Sequence, residues 1–217
     1  MSKIFDIRLK ENFKLFLTGP SRCGKTFFVC DLLQNINFYC KSPPTSILYV
    51  YKVWQSKFDE ISHLVDTFIN DNENILETID LYVDNNKPIL VIFDDLIQSR
   101  SLKDISSLFI VDARHKNISS IFLTQRMFVN DEYFRQISQN SDYFCVFKNP
   151  RNSSEIRSLA HQITPGDLRL ITFYIEATKE PFSYILINLT QECEEEVKFI
   201  GNPFMRDYVV KVYTEVT

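Results

Sequence analysis

Glycine is scarce: four residues in a chain of 217, at Gly19, Gly24, Gly166 and Gly201, where ordinary usage would give about three to four times as many. A collagen-like or glycine-rich low-complexity chain is excluded, and the pair Gly19 and Gly24 stands out. Long apolar runs are also missing. Stretches such as 89–93 are of strand length, far short of the roughly 20 residues that cross a bilayer. The opening Met-Ser-Lys-Ile-Phe-Asp has no apolar signal-peptide region, so the expectation is a soluble protein without a membrane span, not secreted by the usual route. Five cysteines (Cys23, Cys30, Cys40, Cys145, Cys193) are scattered with no C-x-x-C pair. That argues against a disulfide framework or structural zinc and for a reducing compartment. Basic excess is absent too: 24 Lys and Arg against 28 Asp and Glu leave a net charge of -4. A polyanion would need a local patch or several subunits converging.

What remains is globular: 45% hydrophobic, 24% charged and 14% aromatic. The length suits one domain, 1–217, with a core at about 13–190 and a C-terminal extension at 191–217. Strand-length apolar and aromatic runs fall at 13–17, 47–51, 89–93, 118–123, 143–147 and 184–189. Helical spacing fills 25–34, 54–70, 75–83, 102–111, 131–138, 153–162 and 167–178. Continuous apolar strands alternating with helices predict an α/β fold, a mainly parallel sheet covered by helices on both faces.

Gly19-Pro20-Ser21-Arg22-Cys23-Gly24-Lys25-Thr26 matches G-x-x-x-x-G-K-[ST], directly between a predicted strand and a predicted helix. The glycines admit close approach of the backbone, so that successive N–H groups and the helix N-terminus cradle phosphate. Lys25 is placed to reach the β and γ phosphates, and the Thr26 hydroxyl to ligate Mg2+. ATP and Mg2+ are the expected substrate and cofactor, and Arg22 adds charge nearby or is simply solvated.

The strand at 89–93 runs into Asp94-Asp95. Charge at the end of an apolar strand is costly without a partner. Behind a phosphate loop, Asp94 is expected to hold Mg2+ and Asp95 to polarise the attacking water. Downstream, 118–123 leads into Thr124-Gln125, a neutral polar end able to touch both γ-phosphate and water. The order of loop, extra strand, acidic pair and polar end is that of ATP hydrolases whose sensor strand lies between the loop strand and the acidic strand. Between Arg100 and Arg126 the chain is locally basic. Within it Arg114 is a candidate arginine finger acting on a neighbouring subunit's nucleotide, with Arg151 the second candidate. The segment 98–103 could be a pore loop meeting phosphates. His63 and His161 have no partners at metal-ligand spacing.

The combination GPSRCGKTFF, Trp54-Gln55 within 51–58, IFDDL, Arg114-His115 running into ISSIFLTQ, and FKNPRN before a helix resembles the FtsK-HerA superfamily. Within it, the chain is similar to poxvirus-type genome-packaging ATPases of large DNA viruses, virophages and polinton- or adintovirus-like elements. The resemblance implies a P-loop ATPase fold and a homo-oligomeric ring, pentamer or hexamer, that feeds double-stranded DNA into a preformed capsid. It implies capsid or virion-vertex partners and a place at the assembly site in the host cell or on the virion. By position Lys25 and Thr26 then bind nucleotide and Mg2+, Asp94 and Asp95 are the metal and water acids, and Gln125 is the sensor. Ala113 stands where relatives often have glycine, and Asp95 where cellular members usually have glutamate. Two other readings remain on the residues alone: a P-loop nucleoside or nucleotide kinase, its lid arginines drawn from Arg151, Arg157 and Arg169, and a non-catalytic nucleotide-dependent assembly factor.

Overall fold

The computed structural model describes residues 5–83, 87–112, 116–204 and 210–214, the side chains of 111 and 112 excepted. Among them nine strands form one sheet: β1 (Lys14–Thr18), β2 (Ser46–Tyr51), β3 (Thr67–Asn70), β4 (Ile89–Asp94), β5 (Ile118–Thr124), β6 (Tyr143–Phe147), β7 (Tyr184–Asn188), β8 (Phe199–Gly201) and β9 (Lys211–Tyr213). The helices are α1 (Lys25–Gln34), α2 (Ile36–Tyr39), α3 (Lys57–Ile61), α4 (Ile75–Asp80), α5 (Leu102–Ser107), α6 (Glu132–Gln139), α7 (Ser154–Ile163) and α8 (Arg169–Ala177).

The sheet order is β3-β2-β4-β5-β1-β6-β7-β8-β9. Pairing is parallel from β3 to β6 and antiparallel from β6 to β9. Because β1, β4 and β5 are buried on both faces, successive side chains feed two cores. Phe16, Val91, Phe93 and Phe122 enter one, and Leu15, Leu17, Leu90, Ile92 and Ile121 the other. Phe16 alone meets the rings of Phe122, Phe134 and Phe144 at 6.0, 5.6 and 5.1 Å, and full burial of such a side chain contributes about 1.5–3 kcal/mol. These interior strands fix where the site lies, since β5 sits between β1 and β4 and all three end on one edge.

The structure departs from the sequence reading along 54–70. Instead of one helix there is the short α3 and then β3, which pairs with β2 from Leu48↔Thr67 to Tyr51↔Asn70. The Asp66 carboxylate accepts the Ile47 N–H at 2.7 Å and so pins the entry to β3. Ladder bonds and burial of Ile69 outweigh the helical spacing of Phe58, Ile61 and Val65. Three strands were not expected, β3, β8 and β9; the last two lie within 191–217 and continue the same sheet. Helix α5 ends at Ser107 and a π-helical turn, Leu108–Asp112, follows.

Candidate nucleotide-binding site

The C-terminal ends of β1, β4 and β5 open into a cavity of about 640 Å3 whose wall includes Ser21, Arg22, Gly24, Lys25, Thr26, Asp94, Asp95 and Gln125. The loop after β1 closes tightly. Gly19 donates its N–H to the Thr124 carbonyl at 3.3 Å, and a Cβ there would lie 2.7 Å from both Cys23 Sγ and Phe147 Cβ. Gly24 takes φ +108 at the start of α1, a conformation that disfavours a side chain. Cys23 is buried against Gly19, and burial pushes its thiol up. Pro20 accepts the Cys23 N–H at 3.3 Å, and Arg22 holds φ +64 with its side chain exposed. Lys25 folds back over the loop, its Nζ donating to the carbonyls of Gly19 at 2.7 Å and Pro20 at 3.0 Å.

Across the cavity Asp94 is 7% exposed at the end of β4. Its Oδ2 accepts the Tyr49 hydroxyl at 3.0 Å and the Gln55 amide at 3.4 Å. Burial raises the carboxyl to about 6; Tyr49 and Lys25 oppose the shift, and the neighbouring Asp95 charge adds to it. Asp95 follows at φ +56, a region that Asp and Asn enter more readily than most residues. The kink turns its carboxylate into the open end, where it is exposed and accepts Gln125 Nε2 at 2.9 Å. Gln125 leaves β5 through a turn in which the Thr124 hydroxyl donates to the Arg126 carbonyl at 2.9 Å. Thr26 and Asp94 offer a hydroxyl and a buried carboxylate to one cavity. Hard oxygen donors of this kind suit Mg2+, and the raised Asp94 carboxyl marks a place where further positive charge is favoured.

Of the expected residues, Ser21, Arg22, Gly24, Lys25, Thr26, Asp94, Asp95 and Gln125 thus line one cavity, while Gly19, Pro20 and Cys23 shape the loop without lining it. Arg114 lies outside the described residues. Arg151 sits exposed in the loop after β6, its N–H on Asn149 Oδ1 at 3.2 Å. In the segment 98–103, the Ser99 hydroxyl donates to Asp71 and accepts the Ser101 N–H at 2.9 Å, which fastens the segment beside the end of β3. Lys116, part of the basic stretch, pairs with Asp80 at 2.8 Å.

Sequence reasoning gave no role to Tyr49, Lys57, Phe27 or Phe182, and read Gln55 only as part of the family resemblance. For Tyr49 a signal existed: a hydroxyl inside a buried apolar strand needs a partner. Lys57, Phe27, Gln55 and Phe182 line the cavity, and the Lys57 ammonium lies 5.9 Å from the centre of the Phe27 ring.

A family model, that of the poxvirus A32 protein, matches residues 4–156. No curated protein matches the sequence. Among solved structures, the genome packaging NTPase B204 from Sulfolobus turreted icosahedral virus 2, in complex with ATP-gammaS, is similar over 95% of this chain and 98% of its own, with 14% identity and a TM-score of 0.56. EssC (ATPases 2 and 3) from Geobacillus thermodenitrificans is similar over 82% of this chain and 38% of its own, with 15% identity and a TM-score of 0.54. The cytoplasmic domain of the Thermomonospora curvata type VII secretion ATPase EccC covers 82% of this chain and 22% of its own, with 12% identity and a TM-score of 0.54. This chain therefore spans well under half of the EssC and EccC chains. At such identities the likeness is one of fold, a P-loop ATPase domain.

Proposed function

The chain belongs to the poxvirus A32 protein family, and from that premise we propose that it is a viral DNA-packaging ATPase, coupling Mg-dependent ATP hydrolysis to movement of double-stranded DNA into a preformed capsid. The observation that carries the reading is the meeting of three strand ends at one cavity: the phosphate loop, buried Asp94, and exposed Asp95 hydrogen-bonded to Gln125. Membership of the family supports the packaging role, and the fold shared with B204, itself a packaging NTPase, is consistent with it.

The residues divide the chemistry. Main-chain amides at Gly24, Lys25 and Thr26 receive the phosphates, with Gly19, Pro20, Ser21, Arg22 and Cys23 shaping the loop. Lys25 exchanges the Gly19 and Pro20 carbonyls for phosphate oxygens. Thr26 and Asp94 would hold Mg2+, which supplies charge neutralisation at the phosphates when bound. Asp95 orients the attacking water and accepts its proton as the water oxygen bonds to the γ-phosphorus and the bond to the ADP oxygen breaks. Gln125, bound to Asp95 through its amide, reports occupation of the γ position to β5. An arginine from a neighbouring subunit, Arg114 or Arg151, completes the site in a pentameric or hexameric ring. Double-stranded DNA and capsid or vertex proteins are the partners, and the host-cell assembly site is the place of action. Among the described residues no helix is long and apolar enough to cross a membrane.

Steady-state ATP hydrolysis against protein concentration, with and without duplex DNA, tests the reading. Turnover is expected to rise faster than linearly with protein, to increase with duplex DNA, and to lose that increase steeply with salt as counterion release predicts. Lys25→Ala should lower it by about 10^2-fold or more. No stimulation at any DNA length or salt concentration refutes the packaging motor, and a phosphorylated nucleoside product would replace it with a kinase.

A further inference from the structure

Beyond the phosphates the cavity continues to a wall that the chemistry above leaves unused. Phe27 and Phe182 line it and are 63% and 61% exposed, although large aromatic rings are ordinarily buried. Phe27 follows Thr26 directly in the first turn of α1, so it stands next to the phosphate cradle. Phe182 approaches the same cradle from the turn before β7: a Cβ on Gly24 would lie 3.4 Å from Phe182 Cβ and 3.6 Å from its Cδ1.

Phe182 is also held in a costly conformation. Its φ is +62, which is strained for a bulky side chain and persists only where the surroundings impose it. They do so here. The Ser183 hydroxyl donates to the Glu180 carbonyl at 2.5 Å, the Ser183 carbonyl accepts the Lys148 N–H at 3.2 Å, and the Tyr184 N–H donates to Asn202 Oδ1 at 2.7 Å. The turn is fastened on both sides of the phenylalanine, and the ring is presented to the cavity.

From this juxtaposition we infer that the nucleobase is held between Phe27 and Phe182, so that the site takes nucleoside triphosphates by stacking and separates adenine from guanine only weakly. The inference rests on the nucleotide-binding reading and deepens it. Stacking is tolerant because every base presents a π-face. The acidic group in the same wall, Asp31, already accepts Asn35 Nδ2 on Oδ1 at 3.1 Å and the Tyr39 hydroxyl on Oδ2 at 3.4 Å. It is engaged within the fold and not set aside to read a base edge.

The experiment compares ATP, GTP and inorganic tripolyphosphate on the full chain, in the wild type, Phe182→Ala and Phe182→Trp. ATP and GTP should have KM values within about tenfold of each other. Phe182→Ala should raise the KM for ATP about tenfold or more, while inhibition by tripolyphosphate, which has no base, stays within about twofold. Phe182→Trp should gain indole fluorescence, over that of Trp54, quenched by ATP and not by tripolyphosphate. An equal loss for tripolyphosphate would make Phe182 part of the phosphate loop and overturn the clamp. So would an unchanged ATP KM in Phe182→Ala with a steeper dependence on protein concentration, which assigns the ring to a subunit contact. ATP preferred over GTP by about 10^4-fold would reveal a hydrogen-bonding reader and overturn it as well. If Phe182→Ala does not fold, the fluorescence of Phe182→Trp decides alone. Failure of wild type to bind either ATP or tripolyphosphate removes the nucleotide reading itself, whereas tripolyphosphate binding without base dependence removes the clamp only.

Discussion

At the end of β1 the lysine of the site lies on two main-chain carbonyls, whereas at the end of β4 the side-chain hydrogen bonds that two adjacent carboxylates accept come, among the described residues, from neutral donors, Tyr49, Gln55 and Gln125, with the Lys25 charge acting on Asp94 without a hydrogen bond to it. The phosphate loop is thus settled as it stands: its positive charge has acceptors, and its geometry is enforced by Gly19, where no side chain fits, and by the positive φ of Gly24. The acidic end holds its charge at a cost, seen in the raised Asp94 carboxyl and in the left-handed backbone of Asp95. The loop is built mainly to receive a ligand, and the acidic end is stabilised by one. Substitutions on the acidic side should therefore separate function from stability.

Asp95→Asn is expected to have the largest effect on the acidic side. Asparagine accepts a positive φ as aspartate does, and the side chain is exposed, so the fold should persist within about 0.5 kcal/mol. What is lost is the group that takes the proton from water, and turnover should fall about 10^3-fold at saturating Mg-ATP. Thermal unfolding and single-turnover hydrolysis on one preparation measure both quantities. An Asn variant as active as the wild type would assign the base to another residue and favour a nucleotide-dependent assembly role.

Asp94→Asn should lower turnover by about 10^2-fold and yet make the ligand-free protein more stable. Its carboxyl stands at about 6 in the folded protein against 3.8 ordinarily. The folded chain therefore binds the proton more tightly than the unfolded one, and stability falls as pH rises from about 4 to about 6 and stays low above. At pH 7 the cost approaches about 3 kcal/mol. Asparagine escapes it, so the variant should be the more stable by up to that amount at pH 7 and equal to wild type below about pH 4. Urea unfolding at the two pH values reads the difference, and equal stability at pH 7 would mean that the acidic end stores no such cost.

The same contrast explains what could be read in the sequence. The phosphate loop and α1, at 25–34, were legible to the residue, because close backbone approach admits glycine and little else. The acidic pair and the place of β5 between β1 and β4 followed from charge at strand ends and from strand order. β3 was hidden because Phe58, Ile61 and Val65 imitate a helical face, while the pairing that makes Thr67–Asn70 a strand comes from β2, about twenty residues earlier. The Tyr49–Asp94 bond joins residues 45 apart, and the φ of Phe182 depends on bonds from Lys148 and Asn202. No local pattern carries either. The loop announces itself in a local motif although Thr124 and Phe147 close it, whereas the acidic end has its partners in distant parts of the chain.

Tyr49→Phe sharpens that distinction with the smallest expected loss. It removes one hydroxyl from a fully buried ring and leaves the ring's packing on Phe58 and Phe68, at 4.7 and 5.7 Å between centroids, in place. Asp94 Oδ2 then keeps only the longer bond from Gln55. A partner that orients a metal-binding carboxylate is worth about tenfold in metal affinity, so the Mg2+ concentration for half-maximal hydrolysis should rise about tenfold, while turnover at saturating Mg2+ changes little. Tyr49 also holds the Asp94 carboxyl down against burial. Without it the proton is bound more tightly still, and the weakening of Mg2+ activation as pH falls should set in at a higher pH than in the wild type. Tripolyphosphate binding measured without Mg2+ should be unaffected, because Lys25 and the loop amides do not depend on Tyr49. If that binding also weakens, the two halves of the site are one coupled unit, and the contrast between a settled loop and a costly acidic end is lost.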